Sequence, residues 1–195
     1  MPSTTAPPTD RRVQRTQQAL RGALLSLLVE RGWDDFSVQD ICNRADIGRS
    51  TFYLHFQSKE ELLERGLNDL REGLLVQADA RGRDVDAPLF FVRGLLEHVF
   101  EQRLVFRAVV GRRSGHVVQT RFRDMVLLLM SDGLSVRDDD NWERQATVRY
   151  VAGAFVELLS WWLDSSSPCS LAEIERLYVS LTLPIIKKLG VAITA

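Results

Sequence analysis

Arg49 and Ser50 open a short stretch, RSTFYLHF, in which hydrogen-bond donors are interleaved with large aromatic and aliphatic side chains. A guanidinium can donate two parallel hydrogen bonds to guanine O6 and N7, which discriminates about tenfold to a hundredfold against other bases. Ser50 carries a hydroxyl able to meet a base or a phosphate. Upstream, Ser37 and Gln39 add a hydroxyl and an amide that can grip the same strand. Other chemistry is poorly served. His98 and His116 have no neighbouring nucleophile or metal-ligand spacing, and no glycine-rich loop is shaped to cradle phosphate. The run Asp138-Asp139-Asp140 reads as a solvated loop rather than a cation site. Cys42 and Cys169 stand in neither a CxxC nor a zinc spacing, so both are expected as reduced thiols. Neither an enzyme, a metal centre nor a cofactor is expected.

Two short helices must hold those donors. Ser37 suits an N-cap, with Asp40 three residues on completing a capping box. Phe36 and Ile41 fall where a hydrophobic staple fixes the entry angle of the helix VQDICNRA. The turn Asp46-Ile47-Gly48 follows, and the second helix, RSTFYLHF, stops near Gln57. Ser58 and Glu61 form another capping box and open a longer amphipathic helix. Two short helices across so tight a turn make a helix-turn-helix, whose second helix stands clear enough to enter a major groove.

On these residues the chain resembles the tetracycline-repressor (TetR) family. The segment from Ile47 to Phe56, followed by Ser58-Lys59-Glu60-Glu61-Leu62, is similar to that family's DNA-binding signature, and the likeness extends over roughly Arg12 to Leu67. The family usually has Gly where Asp46 stands and Ser where Gly48 stands. Asp tolerates the left-handed conformation, and Gly is an acceptable cap. The resemblance implies that Thr51, Tyr53, His55 and Lys59 hold backbone phosphates, for which their donors are chemically suited. Taken alone, Tyr53 would more often be a packed aromatic and His55 a satisfied surface histidine. Phe52 and Phe56 are expected in the core of the head.

The rest of the chain must carry this head. At 45% hydrophobic and 26% charged, 195 residues fit a globular chain able to bury a substantial core. No apolar run reaches the roughly 18 residues of a membrane span, and a cytosolic protein is expected. The net charge of -1 excludes a protein that coats nucleic acid indiscriminately, while Arg11, Arg12, Arg15 and Arg21 give a local basic lead-in. Residues 1–10 read as a disordered tail, 11–57 as the DNA-binding head, 58–80 as a connecting helix and 81–195 as a helical regulatory and dimerisation domain. Gly32 is a natural stop for the first helix, and no strand signal occurs anywhere. The protein is therefore expected to be all-α.

Past the connecting helix, breaks are expected at Arg81-Gly82-Arg83-Asp84, 111–115, 137–140 and 165–168, with a short apolar segment, LVFRAVVG, between helices. Val148, Val151, Ala152, Phe155, Leu159 and Trp162 form an apolar stripe on the penultimate helix, and Ile174, Tyr178, Leu181 and Ile185 one on the last. Leu189 extends the second stripe, and Pro184 should kink its helix. Ala152-Gly153-Ala154 would let a helix approach closely. These stripes either fill the chain's own core or join two copies in a four-helix bundle. The homodimer is expected, as resemblance to the family also implies, and it would read a palindromic double-stranded operator. The resemblance further implies a small apolar or amphipathic effector, with Phe91, His98, Phe106, Phe122, Met125, Tyr150 and Phe155 as candidate contacts. Control by a protein partner, or an adaptor without DNA binding, are the alternatives.

Overall fold

The computed structural model describes residues 8–80, 89, 91–110, 115–134, 136, 141–164 and 169–188. Among the described residues the chain forms α-helices and one 3-10 turn, with no strand. The expected breaks at 81–84, 137–140 and 165–168, residues 111–114 of the one at 111–115, and the position of Leu189 lie outside the described residues, while Gly115 belongs to a helix. The chain divides into two compact units, Met1–Gly66 and Leu67–Ala195.

The first unit contains α1 (Pro8–Arg31), a 3-10 turn (Trp33–Asp35), α2 (Val38–Ala45), α3 (Arg49–His55) and the start of α4 (Lys59–Ala80). Helix α1 starts inside the segment expected as a tail. It ends where Gly32 takes φ 87°, a left-handed conformation that L side chains rarely adopt, and the Gly32 N–H reaches the Leu28 carbonyl at 3.0 Å. Leu20, Leu24, Leu27 and Leu28, spaced one helical turn apart or adjacent, are each no more than 1% exposed. Trp33, Phe36, Ile41, Phe52, Phe56 and Leu62 close the same core. Trp33 and Phe36 meet edge to face at 5.7 Å between ring centres.

The second unit contains the remainder of α4, α5 (Phe91–Glu101), α6 (Arg103–Val110), α7 (Gly115–Gly133), α8 (Trp142–Asp164) and α9 (Leu171–Lys187). The apolar segment LVFRAVVG, left unassigned in the sequence, supplies most of α6. Phe106 and Val109 lie three apart and turn inward together. Ser170 caps α9, accepting from the Glu173 N–H while its own N–H donates to the Glu173 carboxylate at 2.7 Å. Helix α9 continues through Pro184 to Lys187.

The penultimate and last helices turn most of the residues expected at the interface into the chain's own core. Val148, Val151, Ala152, Phe155, Leu159, Trp162, Ile174 and Tyr178 are each no more than 3% exposed within the single chain. They are its own core, because α7 packs against α8 and α9 against both α5 and α8. Of the residues expected at the interface, Leu181 remains 62% exposed and Ile185 is half-buried. The apolar surface left outside is a different one: Tyr150, Ala154 and Trp161 on α8, and Leu177 and Leu181 on α9. A Cβ built on Gly153 would meet nothing within 4 Å, so among the described residues no helix uses the close approach at Gly153.

Candidate nucleic-acid interface

Helix α2 is held at both ends by side chains chosen for it. The Ser37 hydroxyl accepts from the Asp40 N–H at 3.3 Å, while the Ser37 N–H donates to the Asp40 carboxylate at 2.8 Å. The same hydroxyl donates its hydrogen to Asp40 at 2.6 Å. Those hydrogen bonds from Ser37, aided by Arg31, hold the Asp40 carboxyl below its ordinary value. Ser37, expected to grip a strand, is exposed and directs its hydroxyl hydrogen to the cap. Gln39 is exposed on α2 and donates to the Asn43 side chain at 2.7 Å, which leaves its second amide hydrogen for a strand.

The turn between α2 and α3 uses the residues that depart from the family pattern. Asp46 sits at φ 54°, ψ 47°, in the left-handed region, and closes α2 through its N–H to the Asn43 and Cys42 carbonyls. Gly48 caps α3 at φ -66°, ψ 146°, extended backbone that any residue adopts. Its hydrogen atoms are therefore a missing cap rather than a steric need. Beneath the turn, Arg44 ties α2 to α1. It donates to Ser26 at 2.7 Å and to Glu30 at 2.6 Å, and the Arg44 guanidinium holds the Glu30 carboxyl below its usual range.

Helix α3 separates its residues cleanly. Phe52 and Phe56 are 0% and 2% exposed and anchor the helix in the core. Arg49, Ser50, Tyr53 and Leu54 face outward. Thr51 and His55 are half-buried at the edges of that face. Arg49 and Tyr53, four residues apart, form a pair: the guanidinium donates to the phenol oxygen at 3.3 Å and lies 5.7 Å from the ring centre. The hydrogen bond from Arg49 to Tyr53 raises the guanidinium pKa further, so the cation is fully charged and partly preset in direction.

Lys59 has a second task that the sequence did not announce. Its Nζ donates to the Trp33 carbonyl at 2.8 Å and the Phe36 carbonyl at 2.9 Å, with both rings 4.6–4.7 Å away. An ammonium has three N–H donors, so one remains for a phosphate. The legible signal was the aromatic pair before α2, whose turn carbonyls need a donor. Arg11, Arg12 and Arg15 are exposed along α1. Burial pushes the Cys42 thiol up, consistent with a small core side chain.

In the second unit, the residues expected to touch a ligand separate into groups. His98 is half-buried with its ring edge-on to Phe106 at 5.6 Å, and Phe106 meets Phe122 at 5.7 Å. Burial pushes the His98 imidazole down, with Glu101 opposing. Phe91 and Met125 are buried, and Phe155 packs at 5.1 Å on Tyr178, whose hydroxyl donates to the Val151 carbonyl at 2.8 Å. Tyr150 stands apart from the others, 63% exposed on α8. Among the described residues, no three His, Cys, Asp or Glu side chains gather as metal ligands, and no helix is long and apolar enough to cross a membrane.

Comparison with known proteins bears on the same segment. Residues 20–65 match the family model for the N-terminal domain of bacterial regulatory proteins of the tetR family. The HTH-type transcriptional regulator YxbF of Bacillus subtilis is 29% identical over 162 residues, which cover 80% of this chain and 41% of that protein. The chain thus spans less than half the length of that relative. The HTH-type transcriptional repressor KstR2 of Mycolicibacterium smegmatis is 24% identical, with 93% of each protein covered. A solved TetR transcriptional regulator from Streptococcus agalactiae superposes with a TM-score of 0.65 at 26% identity, covering 89% of this chain and 97% of that one.

Proposed function

We propose that this chain, a member of the TetR family, is a cytoplasmic transcriptional regulator that binds a palindromic double-stranded operator as a homodimer. One observation carries the reading: α3 turns Arg49, Ser50, Tyr53 and Leu54 outward while Phe52 and Phe56 anchor it. That is the arrangement of a helix built to enter a major groove. Arg49 reads a guanine edge, and Ser50 a base or phosphate. Tyr53, Thr51, His55, Gln39 and the third donor of Lys59 hold the backbone, with the α1 arginines alongside. Phosphate contacts set register, and base contacts set sequence.

A head this small touches too few bases for an operator, so a second copy supplies the other half-site. The exposed apolar surface of α8 and α9, namely Tyr150, Trp161, Leu177 and Leu181, supports pairing of two chains there. Binding across a promoter excludes polymerase, which makes repression the reading we adopt, and KstR2 is itself a repressor. A small apolar or amphipathic effector would release it by binding one state of the second unit better than the other. The apolar row of His98, Phe106 and Phe122 supports such an effector. Control by a protein partner is the alternative.

The test is capture of fragments from the source genome by the purified full chain, followed by a salt titration. A regulator retains a small set of related palindromes, and log affinity falls linearly with log salt. Uniform retention of all fragments, or of none, contradicts the proposal.

A further inference from the structure

Leu54 is 81% exposed, more than any other large apolar side chain among the described residues. It stands on the outward face of α3 between donors, and it contributes nothing to the core that Phe52 and Phe56 anchor. Tyr150 and Trp161 on α8, and Leu177 and Leu181 on α9, by contrast recur along one side of their helices. Lysine, glutamine or glutamate would support the helix about as well, so leucine adds only an apolar surface at that place.

The outward face of α3 carries two parallel rows at one-turn spacing. One is Arg49 and Tyr53, joined by the 3.3 Å hydrogen bond; the other is Ser50 and Leu54. The major groove offers one apolar group, the thymine C5-methyl, and it lies on the same floor as guanine O6 and N7. We infer that Leu54 is a specificity-determining residue that packs on a thymine methyl beside the guanine read by Arg49. Residues five apart on a helix are separated by about 7.5 Å along its axis, and base pairs stand about 3.4 Å apart. The thymine therefore falls within about two to three base pairs of that guanine. The inference rests on α3 being the DNA-reading helix, and its test separates the two.

Duplexes preferred by the wild-type full chain are first selected from a random library. Each thymine is then replaced in both half-sites by deoxyuridine, which lacks only the methyl group. One position should weaken wild-type binding about fifteenfold, since each lost methyl contact is worth about fourfold and the palindrome has two. The Leu54→Ala chain should bind the thymine and deoxyuridine duplexes equally and keep its preference for the Arg49 guanine. With so exposed a side chain, its thermal melting should match the wild type. A site that requires guanine but tolerates deoxyuridine everywhere, or a deoxyuridine penalty that persists in Leu54→Ala, overturns the inference alone. Failure of the wild type to select any sequence overturns both the inference and the DNA-reading role of α3.

Discussion

Helices α3 and α8 are both two-faced, yet they leave opposite chemistry outside. Helix α3 buries aromatics and presents a guanidinium, a hydroxyl and a phenol. Helix α8 buries Val148, Val151, Phe155 and Leu159 and still presents Tyr150 and Trp161 to solvent. In the first unit Phe52 and Phe56 face in and polar groups face out, with Leu54 the aliphatic exception on the outer face. In the second, the outer side of α8 mixes Tyr150 and Trp161 with Glu143, Arg149 and Glu157, so packing against α7 and α9 decides which aromatics are buried.

The comparison is most easily broken at the outer face of the second unit. Leu181→Glu combined with Trp161→Glu places charges on surface that a second copy should cover, and should raise the dimer dissociation constant about a hundredfold or more. Analytical ultracentrifugation reads this directly. Charging that surface without any change in association would mean that the outer aromatics are idle.

Lys59 sharpens the comparison from the other side, because it makes the head depend on a residue that also lies near the proposed interface. Lys59→Met should destabilise the first unit by about 2–4 kcal/mol, since two carbonyls lose a charged donor and two rings their cation. Amide hydrogen exchange across α1 to α3 in the full chain measures it. A residue used only for phosphate would leave exchange unchanged and reduce the salt dependence of DNA binding by about one ion.

Smaller effects are expected in the turn and on acidification. Asp46→Gly should stabilise the α2–α3 turn by about 0.5–1 kcal/mol, because glycine adopts φ 54° without a Cβ penalty, and exchange of the turn amides should slow. The two units should also titrate apart. Glu30 and Asp40 have lowered folded values, so their contribution is complete above their ordinary values of 4.5 and 3.8 and is lost as pH falls through the lowered ones. His98 is likewise lowered, from 6.5, but through burial of a neutral ring, so the unfolded chain takes up its proton first. The second unit should therefore begin to lose stability just below pH 6.5, well before the head. Both effects should be modest, and His98→Phe should remove the earlier one.

How much was legible follows the same division. The Ser37 box, the Asp46 turn, the Gly32 stop and the inward Phe52 and Phe56 were all readable, because each rests on local rules of capping, chirality and period. Lys59 was readable as a donor but not as a partner of the Trp33 and Phe36 carbonyls, which lie 26 and 23 residues away in sequence. Leu54 was passed over because a leucine in a helix signals burial until its exposure is known. The stripe on α8 was identified, but whether it fills the chain's own core or joins two copies was open, since periodicity finds an apolar face without naming what covers it.

The outward guanidinium of Arg49 is the centre of the account, and its reading of a guanine can be measured directly. Competition binding should compare the selected palindrome with one in which that guanine pair is changed to adenine-thymine in both half-sites. The wild type should prefer the guanine duplex by about tenfold to a hundredfold per half-site, and Arg49→Ala should bind both alike. Equal discrimination by the two proteins would place sequence reading elsewhere and contradict the role assigned to α3.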